Sequence, residues 1–145
     1  MTSIPIGQGQ VIQQGKKIAF LAFGSMLTPA MEAAQQLNAT VANMRFVKPL
    51  DEQLIIELAS DHELLVTVEE NAISGGAGSA INEFLQSINL HVPVLNLGIP
   101  DQFIEHGTRD ECLSECGLDT SGILHNIENY QQNKTCHSEK NTLVF

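Results

Sequence analysis

Two adjacent carboxylates, Glu69 and Glu70, run into a glycine-rich turn and then a helical pattern in VEENAISGGAGSAINEFL, residues 68–85. This is the layout of a phosphate or nucleotide site. Glycines let backbone approach a ligand, and the N–H groups at a helix start attract anions. The details depart from the known fingerprints. Dinucleotide binding needs G-x-G-x-x-G in the first strand–helix unit, and here Gly76-Ala77-Gly78 is followed by Ser79-Ala80-Ile81, without the third glycine. No lysine follows, as a P-loop requires. Gly75 and Gly76 therefore read as backbone devices, supplying unusual dihedrals or close approach to another backbone. Glu69 and Glu70, as neighbours on a strand, point to opposite faces and make no acid–base pair. One is expected to be buried, against a partner or capping the glycine turn, and the other solvated.

RFVKPLD places Arg45, Lys48 and Asp51 near the end of an earlier strand, with two of the chain's 7 cations. That cluster suits an anion or the Glu69/Glu70 pair, and an intradomain ion pair is the simplest account. His106, in IEHGT, is a lone loop imidazole and reads as structural. Cys112, Cys116 and Cys136 lack metal-ligand spacing and read as reduced thiols, so no metal site is assigned. No local motif supplies a Ser/His/Asp or Cys/His constellation, and the catalytic set is left empty.

The elements that position these residues alternate. QVIQ (10–13) and IAFLAF (18–23) read as strands joined by a tight turn, hence as an antiparallel neighbouring pair. A helix is expected over 28–38, with Thr28 as N-cap and Pro29 at the first helical position. ATVANMRF (39–46) is the next strand, followed by a helix capped by Asp51. LLVTVEE (64–70) and PVLNL (93–97) are further strands, and helices are expected over 80–88, 110–116 and 119–132. Near-continuous apolar strands alternating with helices predict a three-layer α/β/α domain. Its five-stranded sheet is mostly parallel, with one antiparallel edge strand. One domain spans residues 4–132, and the polar residues 133–145 are read as a disordered tail.

The chain has 145 residues, 43% of them hydrophobic, with a mean hydropathy of +0.00. That suits one globular domain with a sizeable core. With 7 Lys+Arg against 17 Asp+Glu the net charge is −10, which repels nucleic-acid phosphates and anionic lipid. No apolar run is long enough to cross a membrane, and the first residues carry no secretory pattern. The expectations are a cytoplasmic location, no nucleic acid and no membrane.

Taken in order, RFVKPLD, TVEEN-x-x-x-GGAGS and IPD-x-F-I-x-HG resemble the C-terminal domain of the 1-deoxy-D-xylulose-5-phosphate synthase family, thiamine-dependent relatives of transketolase. The resemblance covers about residues 4–132. It implies an enzyme that condenses pyruvate with D-glyceraldehyde 3-phosphate and releases carbon dioxide, feeding isoprenoid, thiamine and pyridoxal synthesis. Thiamine diphosphate and Mg²⁺ serve such an enzyme through a GDG…N motif in its first domain and a glutamate in its second. GDG is absent from these 145 residues. The resemblance thus implies a third domain that binds no cofactor, is inactive alone, and docks on the other domains of a homodimer. Arg45, Lys48, Asp51, Glu69, Glu70, Asn71, Gly75, Gly76, Gly78 and His106 become interface candidates. Two alternatives stay open: a free-standing anion- or nucleotide-binding module using GGAGS with Arg45 and Lys48, or the equivalent domain of another thiamine-diphosphate enzyme.

Overall fold

The structure, a computed structural model, describes residues 5–73, 75–99 and 109–142, without the side chains of residues 71, 72, 109, 110, 112 and 135–142. Strands β1 (Gln10–Gln13), β2 (Ile18–Ala22), β3 (Thr40–Asn43), β4 (Leu64–Ala72) and β5 (Val94–Ile99) alternate with helices. The helices are α1 (Leu27–Leu37), α2 (Glu52–Asp61), α3 (Ala77–Ser87), α4 (Arg109–Glu115) and α5 (Thr120–Thr142). The sheet order is β1-β3-β2-β4-β5. β2 pairs in parallel with both β3 and β4, β4 pairs in parallel with β5, and β1 pairs antiparallel with β3.

β2 is central because all five of its residues are apolar and buried, which only a strand covered on both faces tolerates. Its side chains alternate between two cores. Phe20 and Ala22 pack with Met26, Ala30 and Ala33 of the α1 side and with Ile123 and Ile127 of α5. Ala19, Leu21 and Phe23 pack with Ile55 and Leu58 of α2 and with Ile81 and Leu85 of α3. The sheet therefore lies between an α1/α5 layer and an α2/α3 layer.

The expected hairpin between β1 and β2 does not form. β1 is the antiparallel edge strand, but its partner is β3, with Gln10 opposite Asn43. Both edges of β2 are taken by β3 and β4, whereas the half-exposed alternation of QVIQ suits a sheet edge. Gly15 carries the chain past the start of β3. A Cβ there would lie 2.3 Å from the Asn38 carbonyl oxygen, and Lys16 N–H donates to that oxygen at 2.8 Å.

Three boundaries also differ from expectation. Gly24 turns with φ 62 directly after β2, and a 3-10 turn over Gly24–Met26 leads into α1, so Thr28 is helical rather than the cap. α3 starts at Ala77, not at residue 80, for a reason given below. α5 continues to Thr142 over residues assigned from sequence to a tail, with residues 143–145 outside the described set. Asp51 is the N-cap of α2, accepting from Leu54 N–H at 3.1 Å as its position before an apolar-periodic run predicts.

Candidate functional site

The carboxyl ends of β2, β3, β4 and β5 share one edge of the sheet, and the candidate residues within the described set gather there. β4 delivers two of them to opposite faces. Odd-numbered Leu65 belongs to the α2/α3 core and even-numbered Val66 and Val68 to the α1/α5 core, so Glu69 faces α3 and Glu70 faces α1.

Glu69 is 1% exposed. Its two oxygens accept the first N–H groups of α3, from Ala77 at 2.8 Å and Gly78 at 2.6 Å. The N-cap residue itself, Gly76, has no side chain to do this. A buried carboxylate is stable here because both oxygens are hydrogen-bonded and face the positive end of the helix dipole. This carboxylate also starts α3 early: the bonds draw Ala77, Gly78 and Ser79 into the first turn. Ser79 closes the rest of the corner, donating its hydroxyl to the Ile73 carbonyl at 2.8 Å and accepting from Gly75 N–H at 3.3 Å.

The glycines divide into two roles. Gly75 adopts φ 76 with open space where a Cβ would stand, so it serves conformation. Gly78 serves packing. A Cβ there would lie 2.7 Å from Thr67 Oγ1 and 2.8 Å from Asn96 Oδ1, two atoms already hydrogen-bonded to each other at 2.7 Å. The N–H groups an anion would use at this helix are already engaged by Glu69, which argues against GGAGS as a phosphate cradle.

Glu70 accepts a short hydrogen bond from Ser25 of the β2–α1 turn. Ser25, Arg45, Val47 and Glu70 line one cleft of about 460 Å³. Arg45 has a left-handed backbone, φ 61, and its Nη2 donates to Gln10 Oε1 at 2.5 Å. Among the described residues its contact is thus an amide of the edge strand. Lys48 is exposed on the same loop. Asp51 straps the chain start to α2, since its second oxygen accepts Gly9 N–H at 2.9 Å.

The edge therefore brings together Arg45, Lys48, Glu70 and Asp51, while Glu69 and Gly78 lie inside. His106 lies outside the described residues, as does the side chain of Asn71. Ser25, Thr67 and Asn96 were not singled out from sequence. A serine directly after a buried central strand, and polar residues inside otherwise apolar strands, are the signals that mark them. Among the described residues no group of three or more His, Cys, Asp or Glu is placed to hold a metal ion.

A parallel sheet between two helical layers, with its polar edge at the strand carboxyl ends, defines a doubly wound α/β domain. Residues 7–123 match the family described as transketolase, C-terminal domain, and the chain belongs to that family. It is 60% identical over 128 residues to 1-deoxy-D-xylulose-5-phosphate synthase of Methylobacillus flagellatus, covering 88% of this chain and 21% of the relative. It is 62% identical over 123 residues to the synthase of Shewanella amazonensis, covering 85% and 20%. Among solved structures it is similar to a split gene transketolase, described as an inactive β4 tetramer. There the TM-score is 0.81 and the identity 33%, over 88% of this chain and 43% of the other. The chain spans about a fifth of the length of the synthases it matches.

Proposed function

We propose that this chain is the third domain of a 1-deoxy-D-xylulose-5-phosphate synthase, a cytoplasmic homodimer that condenses pyruvate with D-glyceraldehyde 3-phosphate, and that its strand-end edge is a docking surface. The observation that carries the assignment is the 60% identity to the Methylobacillus flagellatus synthase over 128 residues, well above the 33% to the split gene transketolase. Among the described residues, those at the edge do not fit thiamine diphosphate or Mg²⁺. The N–H groups of the glycine corner are held by Glu69, and Glu70 adds negative charge where a diphosphate would approach. The cofactor and the acid–base groups are assigned to the other domains, and this domain contributes by docking and dimerisation.

The test is a chimera in which this chain replaces the matching residues of the Methylobacillus flagellatus synthase. It is expected to be a dimer that forms the product, whereas deleting the matching residues abolishes assembly or activity. A deleted synthase that remains a fully active dimer refutes the docking role. The isolated chain is expected to give no heat with thiamine diphosphate and Mg²⁺ in calorimetric titration. Micromolar binding refutes the assignment of the cofactor to other domains.

A further inference from the structure

Strands β2 and β4 mark the point where the strand order reverses, and the cleft opens at their carboxyl ends. Open α/β sheets receive partners at such crevices. One wall carries Arg45 and Val47. The other carries the hydrogen-bonded Ser25 and Glu70, with Phe23 and Ile99 adding apolar surface.

Charge singles out the first wall. In a chain of net charge −10, Arg45 and Lys48 are the only cations between residues 18 and 108. Among the described residues the Arg45 guanidinium meets no carboxylate, and the Gln10 amide orients it without neutralising it. Apolar surface is exposed on the same loop and beside it. Val47 is 37% exposed, and Ile6 is 79% exposed next to Gly7, which packs on Pro49. A guanidinium oriented by Gln10 that meets no carboxylate among the described residues, beside exposed aliphatic groups, is complementary to a carboxylate beside an apolar side chain.

We propose that the Arg45–Lys48 corner docks a segment of a neighbouring domain of the same polypeptide, one that presents an Asp or Glu flanked by an apolar side chain. This rests on the docking role above and names the chemistry of the partner. The carboxylate pairs with Arg45 and Lys48, and the apolar group covers Val47 and Ile6. A free phosphate fits less well, because it leaves the exposed Val47 and Ile6 uncovered.

Carbodiimide coupling, which joins an amine directly to a touching carboxylate, tests this in the chimera. Mass spectrometry is expected to find Lys48 joined to an Asp or Glu outside this chain, and Lys48→Gln to remove that product. Arg45→Glu is expected to cut the coupling yield about tenfold or more, with Arg45→Gln intermediate. Salt at about 1 M, which shortens the Debye length to about 3 Å, is expected to lower it as well. If Lys48 couples only within this chain, or not at all, in a chimera that is dimeric and active, the partner chemistry is wrong and the docking role survives. If the chimera does not assemble, or the deleted synthase is unaffected, the docking role itself fails.

Discussion

Glu69→Gln isolates what the buried carboxylate does for the glycine corner. The amide keeps the size of the side chain but offers one acceptor where the structure uses two, at Ala77 N–H and Gly78 N–H. Its NH₂ group then faces a backbone donor. Leaving one buried N–H unsatisfied costs about 1–3 kcal/mol. Losing the charge at a helix start costs a further ~0.3–1 kcal/mol. Removing a buried charge returns part of this through relieved desolvation. We expect a net loss of about 2 kcal/mol, a fall in melting temperature of about 4–8 °C for a domain of this size. Urea unfolding should show a lower midpoint at unchanged slope. Hydrogen exchange should speed at Ala77 and Gly78 before the central strand responds. A midpoint shift equivalent to less than about 0.5 kcal/mol, the size of an ordinary surface substitution, refutes the assignment of Glu69 as the cap of α3.

Three further perturbations probe the same edge. Gly78→Ala should destabilise by about 1–2 kcal/mol despite the better helix propensity of alanine, because its Cβ meets Thr67 Oγ1 and Asn96 Oδ1 below 3 Å. Thr67→Ala in the same chain should recover part of that loss, and additive effects in a double-mutant cycle refute the contact. Asp51→Ala should cost about 1–2 kcal/mol by urea titration and speed amide exchange at Gly9 as well as Leu54, since one carboxylate serves both. Gly76 has φ −85, which any residue adopts, so Gly76→Leu tests the surface rather than the backbone. In the chimera it should weaken docking and lower activity while cofactor binding stays intact, and a fully active dimer indicates that the turn is only a corner.

Hydrophobic patterning along the chain is enough to place the centre of this fold. IAFLAF is apolar at every position, so it must be covered on both faces, whereas QVIQ is short and polar at both ends, which suits an edge. Asp51 before an apolar-periodic run announces a cap through local geometry alone. Opposite facing of Glu69 and Glu70 follows from strand periodicity, which needs no knowledge of neighbours. The partner of β1 is a different kind of fact. A tight turn favours β2, but β2 has two edges and longer-range parallel pairing with β3 and β4 occupies both. The start of α3 likewise depends on a contact eight residues away in sequence, where a strand carboxylate reaches the helix N–H groups and replaces a cap that glycine lacks. The role of Gly78 is set by Thr67 and Asn96, which come together only once β4 and β5 pair. Local rules therefore reach as far as side-chain direction and capping. Which strand edge is free, and which buried atom fills a given space, depends on competition among distant segments for the same positions.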